Sequence, residues 1–380
     1  MKKRIKKIVT IIVILLILAA VVGVAVFIYK VRNRTYKAYT VKSSVEIKGN
    51  SNASMLVGDN SIIKMTRDGA SAYNINGSEV WNVSYEMNAP VGDVCGDYTA
   101  IADVGGVTLY IIGKEGKITK IATDHAISMV RTSSLGSTAV WMDNGSKDYI
   151  AIYDASGNKA VDMMTAAAED GLPVTMCLSD DGSKLVTSYA YFDNNQLRNK
   201  LTFYNFGEVG SNYVDRLVGL KKYEDRLVGD VKFCGDNRVV AFSDKGVSLF
   251  DMEEYEEEIK ELAIDDHIEA VSASSDYFAL FTSANGAYKA TVFDINGKEV
   301  TVRNISRDYD RFYISGRDLV FFDDTELFVT RIKGKDKAVL DLGMDIKGVL
   351  TQSGGKTFMI MGEKAVNVIE LVAESGEKSE

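Results

Sequence analysis

Only two histidines occur in the chain, His125 and His267, and each directly follows an aspartate, giving Asp124-His125 and Asp266-His267. A carboxylate beside an imidazole can orient a general base or a metal ligand. A catalytic zinc, however, needs about three protein ligands, and a hydrolytic triad needs a nucleophile held against the ring. Two histidines cannot furnish a three-histidine site or several catalytic histidines. Two readings remain: each pair is a structural turn that hydrogen-bonds the strand after it, or Asp124, His125, Asp266 and His267 belong to a binding face built from loops.

The other reactive residue types are equally sparse. Cys95, Cys177 and Cys234 are odd in number and lack C-x-x-C spacing, which excludes a disulfide framework or a paired redox or zinc motif. They sit in similar contexts, Val94-Cys95-Gly96-Asp97, Met176-Cys177-Leu178-Ser179 and Phe233-Cys234-Gly235-Asp236, and are read as packing on inner strands of successive repeats. Asp180-Asp181-Gly182 and Asp323-Asp324-Thr325 do not continue into the oxygen ligands of a calcium loop and are read as turns. Glu253, Glu254, Glu256, Glu257 and Glu258 form an acidic run expected at a solvated hairpin tip, with a cation or basic-peptide contact as the alternative. Without G-x-S-x-G, a phosphate-binding glycine loop or H-E-x-x-H in a usable context, no catalytic residue, metal or cofactor is expected. An enzymatic site assembled from single residues on several repeats would leave no such motif.

These residues belong to a large acidic body behind a basic, apolar N-terminal segment. Hydrophobic residues are 46% and charged residues 26% of the 380 positions, a composition that folds around a core. The nine basic residues of the first 37 positions have no acidic counterpart before Glu46. Beyond them 35 basic residues meet 53 acidic ones, so the body carries about −18 and repels phosphate backbones; no nucleic acid partner is expected.

From Ile8 to Tyr29 run 22 residues with Thr10 as the one clearly polar member. As a helix they span about 33 Å, close to the hydrocarbon thickness of a bilayer, which predicts a transmembrane helix. Lys2, Lys3, Arg4, Lys6 and Lys7 precede it and Lys30, Arg32, Arg34 and Lys37 follow. The short basic tail places the N-terminus in the cytoplasm and the body outside it. A cleaved signal peptide is the rival, with Gly23-Val24-Ala25 as its cleavage site, but the apolar run continues to Tyr29 and Lys30, the ending of an anchor. The expected division is a tail over 1–7, the membrane helix over 8–29, a linker over 30–37, the body over 38–376 and a tail over 377–380.

Past Tyr36 the pattern changes to short runs of Val, Ile, Tyr, Phe and Thr bounded by Gly, Asn, Asp or Ser, the texture of an all-β domain. A unit recurs in it: Tyr73-Asn74-Ile75-Asn76-Gly77, Tyr153-Asp154-Ala155-Ser156-Gly157 and Phe293-Asp294-Ile295-Asn296-Gly297. Its Asn-Gly is read as a two-residue hairpin turn. The turn glycines Gly77, Gly116, Gly157, Gly207, Gly297, Gly334 and Gly376 are spaced 39, 41, 50, 90, 37 and 42 residues apart, the 90 being two units whose missing turn falls near Glu253 and Glu254. Eight units of about 43 residues have the period of a four-stranded propeller blade. The last unit runs out at Ser375-Gly376 before a fourth strand, while residues 38–48 contain an unclaimed alternating strand. The expectation is an all-β, eight-bladed β-propeller closed by that N-terminal strand. The fourth unit is the longest, and Phe192-Asp193-Asn194-Asn195-Gln196 is expected to project as an enlarged hairpin.

Asn76-Gly77-Ser78-Glu79-Val80-Trp81 and Asp294-Ile295-Asn296-Gly297-Lys298-Glu299-Val300 resemble the blade signature of quinoprotein-like and WD-repeat-like propellers. Only the first unit has tryptophan after the turn, so the tryptophan docking ring of quinoprotein dehydrogenases is not reproduced. As a whole the chain resembles a family of bacterial single-pass membrane-anchored propellers, and more distantly the propeller lipoproteins of outer-membrane assembly, which are scaffolds. That family implies no known activity, and the lipid-accepting cysteine of the lipoproteins is absent here. The motif-poor loops lead to the expectation of a non-enzymatic binding or scaffold module outside the bacterial cytoplasmic membrane, with a protein or cell-envelope polymer as partner. The alternative is a degenerate quinoprotein-like or lyase-like enzyme acting on an envelope polymer.

Overall fold

The computed structural model describes residues 2–373 other than 51, 146 and 166–170. Its repeated element explains the recurring sequence unit. The Oδ1 atoms of Asn74, Asp154 and Asp294 each accept two turn amides: Asn76 and Ser78 at 3.0 and 3.1 Å, Ser156 and Asn158 at 2.8 and 2.9 Å, Asn296 and Lys298 both at 3.0 Å. The glycine amide then returns to the carbonyl of the same Asn or Asp, as from Gly77 to Asn74 at 2.8 Å. Gly77, Gly157 and Gly297 adopt φ of 76°, 89° and 70°, whereas Asn76, Ser156 and Asn296 do not enter the left-handed region. The expected two-residue Asn-Gly connection is therefore corrected to three residues. The ladder absorbs the extra residue in a bulge at Ala72/Tyr73, Ile152/Tyr153 and Val292/Phe293.

Each unit makes one four-stranded antiparallel sheet, and the described residues form eight such sheets. Blade 1 contains Ser54–Val57, Ser61–Thr66, Gly69–Asn74 and Glu79–Ser84, and the strands of blades 2 to 7 follow in chain order within 90–122, 126–165, 172–223, 228–263, 267–305 and 311–341. Blade 8 supplies Gly348–Thr351, Thr357–Met361 and Ala365–Val372 in sequence and takes its fourth strand from Ala38–Glu46. That strand runs from the pair Ala38↔Val372 to Glu46↔Ala365, with one register shift between Val41 and Ser43. The closing strand lies where the sequence placed it. The hairpin expected at Ser375-Gly376 falls outside the described residues.

Packing completes the circle. Eight hydrophobic clusters each join two neighbouring blades, and the one across the seam sets Ile62 and Tyr73 of blade 1 against Met359, Met361, Val366 and Val368 of blade 8. A blade is covered by neighbours on both sides, so its second strand is apolar without alternation. All of Asp318–Phe322 is buried, as is Val239-Val240-Ala241-Phe242. The outermost strand meets solvent on one side and alternates, as in Glu79–Ser84.

A continuous helix, α1, covers Lys2–Arg32 and contains the apolar run Ile8–Tyr29. Side chains at several of its positions lie outside the description, and among the described residues no helix is long and apolar enough to cross a membrane. Those side chains that are described, including Ile14, Leu15, Leu16, Ile17 and Leu18, are exposed around the whole circumference. After α1 the chain joins the ring at blade 7, where Tyr36 bridges Ala338 in parallel and its amide donates to Lys337 O at 2.8 Å.

Candidate binding faces and channel

Antiparallel order gives the ring two unlike sides. Turns between first and second strands and between third and fourth strands open on one side, the turn side. Second-to-third connections and the links between blades open on the other, the link side. The first strands surround the axis, and on the turn side they frame a cavity of about 940 Å³ whose lining includes Asp59, Asp180, Ser274, Tyr313, Thr351 and Gln352.

Carboxylates dominate this mouth. Asp59, Asp97, Asp180, Asp236 and Asp276 occupy first-to-second turns of five blades. Burial, followed by the neighbouring Asp236 charge, raises Asp180 above the usual carboxylate range. Cys95 Sγ lies 3.7 Å from Asp180 Oδ1, and burial with that carboxylate drives the thiol far up. Deeper in the channel, burial also raises Asp93, opposed by Arg131 and by the Thr132 amide at 2.8 Å. Cys177 and Cys234 are pushed up to about 11 and about 12, mainly by burial. All three cysteines stand on first strands, as expected of packing residues, but in blades 2, 4 and 5, so the repeats are not strictly successive. High thiol pKa values make them poor nucleophiles. Among the described residues no group of three or more His, Cys, Asp or Glu could hold a metal ion.

The two Asp-His pairs lie on the link side, at the entries to the first strands of blades 3 and 6, and two blades separate them on the shorter arc. The structure does not bring them together. Asp124 pairs with Lys159, whose ammonium also meets Asp162 at 2.9 Å, and its carboxyl is lowered by that lysine. The His125 ring sits 4.2 Å from the Tyr149 ring. Asp266 pairs with Lys289, while exposed His267 approaches Glu269 at 3.8 Å. Each aspartate thus braces its own blade.

The link side also carries the enlarged hairpin expected in the fourth unit. Lys184–Asp193 and Gln196–Asn205 pair over ten positions, and Asn194 and Asn195 turn at φ of 47° and 63°. The neighbouring strands stop at Ala190 and Asn199, so the tip stands clear of the sheet. There Phe192 and Leu197 face each other as a cross-strand pair, 74% and 51% exposed.

One group departs in part from its sequence reading. The acidic run divides: Glu253, Glu254 and Glu257 are exposed at the hairpin as expected, whereas Glu258 pairs with Lys221 and Glu256 Oε1 accepts the Leu220 amide at 3.3 Å, and with Glu261 on Arg226 these fasten blade 5 to blade 4. Burial raises Glu256 accordingly. By contrast, Asp181 and Asp323 do serve as turn caps, accepting the Ser183 amide at 2.8 Å and the Thr325 amide at 3.0 Å. The buried pair Asp318 and Lys337 carried no sequence signal, because a lysine between Asp336 and Ala338 on an outer strand reads as a surface residue.

Among solved structures the chain is similar to BamB from Moraxella catarrhalis, at 14% identity and TM-score 0.55, covering 88% of this chain and 100% of that one. It is similar to apo AztD from Citrobacter koseri at 11% identity and TM-score 0.53, covering 79% and 88%. It is similar as well to Chaetomium thermophilum Sqt1 bound to the N-terminus of ribosomal protein L10, at 13% identity and TM-score 0.53, covering 89% and 100%. Such identities carry the fold alone. No curated protein matches the chain. A family model matches residues 32–371, nearly the whole ring with its closing strand, and the chain belongs to that family, the family of unknown function DUF5711.

Proposed function

We propose that the chain is a membrane-tethered, non-enzymatic binding module, held by α1 outside the cytoplasmic membrane of a bacterium, whose link side docks a protein or envelope component. The observation that carries this reading is the opposition of anchor and loops. The segment leaving α1 meets the ring near Lys335 and Lys356, on turns of the turn side, while the Phe192/Leu197 hairpin and both Asp-His pairs occupy the link side. A helix that is apolar all round needs an apolar medium, and Ile14 to Leu18 meet none within the fold. Sqt1, of the same fold, holds a peptide segment in its solved structure, which supports a protein partner here.

The test compares binding of native envelope extract by the full chain and by two variants. Phe192→Asp with Leu197→Asp is expected to abolish binding, and Asp276→Asn on the turn side to preserve it. Equal binding by both variants, or turnover of an envelope polymer by the purified chain, contradicts the reading.

A further inference from the structure

The acidic body has a basic sector where α1 meets the ring. Three sequence-distant segments build it: Arg34 and Lys37 after the helix, Arg317 and the Lys333-Gly334-Lys335 turn of blade 7, and Lys356 in the first-to-second turn of blade 8. Contacts hold them together. Arg331 donates to Arg34 O at 2.6 Å and to Lys335 O at 3.0 Å, Arg303 donates to Gly334 O, and Thr35 Oγ1 donates to Asp336 O at 3.0 Å. Lys356 Nζ stands 5.7 Å from the Tyr36 ring, and the Ile332 amide donates to Arg317 O at 2.9 Å.

Several exposed lysines elsewhere on the ring find carboxylates: Lys42 with Glu370, Lys114 with Asp97, Lys289 with Asp266, Lys347 with Asp324. Among the described residues of this sector the acids are already engaged. Asp318 is buried with Lys337, Asp336 Oδ1 accepts from Thr330, and Glu370 serves Lys42. No ion pair joins Arg34, Arg317, Lys333, Lys335 or Lys356 to a carboxylate among the described residues. These five cations, without a carboxylate partner among the described residues and set among backbone contacts, form a surface for anions.

Geometry selects the anion. From Tyr29 to Tyr36 the chain has three helical residues and three extended ones, a reach of about 15 Å, so the sector cannot lie far from the plane where α1 enters a bilayer. We propose that this collar docks on anionic phospholipid headgroups and leans the propeller on its blade 7–8 edge. The acidic channel mouth on the same side is repelled by the same surface. Contact is thereby restricted to that edge, and the link side stays exposed. The proposal rests on the anchored reading of α1 given above.

The test is amide hydrogen exchange on the full chain reconstituted into phosphatidylcholine vesicles with or without phosphatidylglycerol. One basic contact at a lipid surface corresponds to about a fivefold effect. Exchange over 332–336 and 352–357 is expected to slow at least about fivefold only in the anionic vesicles, and to recover in high salt. The turns at 96–97 and 193–196 are expected not to change. The combined variant Lys333→Glu, Lys335→Glu, Lys356→Glu is expected to lose the effect while the rest of the ring exchanges as before. Equal exchange in both vesicles, or an effect that survives in the variant, overturns the collar. An alkaline carbonate wash separates the two ideas: retention in both vesicles without a difference in exchange overturns the collar alone, and release from both overturns the anchor and the collar together.

Discussion

Lys337 Nζ lies 2.5 Å from Asp318 Oδ2 with the two side chains only 2% and 3% exposed, beside the point where the chain enters the ring. The ammonium also stands 5.5 Å from the Phe358 ring of blade 8, so one cation ties the second and fourth strands of blade 7 to the next blade. Removing a single partner strands a buried charge and costs about 3–5 kcal/mol, whereas replacing both with apolar groups costs little. Lys337→Met is expected to lower the urea midpoint sharply, and Lys337→Met with Asp318→Leu to recover most of it. A single variant as stable as the native chain would show that the pair is not buried.

The blade turn makes a second expectation. Asp294→Ala removes two side-chain hydrogen bonds to the Asn296 and Lys298 amides and is expected to cost about 1–3 kcal/mol. Gly297→Ala is expected to cost more than Gly286→Ala. Both glycines have positive φ, but a Cβ on Gly297 would lie 2.6 Å from Leu249 Cδ1, whereas one on Gly286 meets nothing within 4 Å. Thermal unfolding of the three variants gives the ranking.

Seam closure separates two truncations. Removing residues 1–37 leaves the closing strand intact, and the shortened chain is expected to unfold cooperatively. Removing residues 1–48 bares the edge of Ala365–Val372 and one side of the seam, and is expected to give aggregation or a broadened transition. Size-exclusion profiles and denaturant curves distinguish them. Similar behaviour of the two would mean that the strand adds nothing to closure.

Asp180 sets a pH dependence. Burial and the Asp236 charge raise its folded pKa, so the folded chain holds the proton more tightly than the unfolded chain does. Ionising it costs stability. That cost is absent below the ordinary carboxylate value near about 4 and appears as pH rises through the higher folded value. Asp180→Asn is expected to be more stable than the native chain at about pH 7 and equal to it at about pH 3. A variant that is less stable at about pH 7 would assign Asp180 a favourable partner instead.

Much of the architecture was readable because it is local and repeated. The aromatic-Asp/Asn-x-x-Gly unit sets the outer hairpins of blades 1, 3 and 6 through side-chain hydrogen bonds within five residues, and the spacing of the turn glycines counts the blades. The orphan strand Ala38–Glu46 was readable because the last unit lacked one. The turn type was misread because Asn-Gly has the same letters in a two-residue turn and in a three-residue turn with a bulge. What remained hidden is non-local. Nothing near Lys333 or Lys356 in sequence announces Arg34, and nothing near Glu256 announces Leu220, since the ring brings those segments together over long stretches of chain. The candidate binding residues follow the same division: each Asp-His pair was visible as a link, but its lysine partner was not.

The most direct measurement is protease digestion of intact and lysed spheroplasts producing the full chain, followed by alkaline carbonate extraction of the membranes. The expected result is a propeller accessible to added protease in intact spheroplasts and an undigested chain that stays in the membrane pellet through carbonate. A chain protected until lysis, or released by carbonate, would contradict a ring tethered outside the membrane by α1.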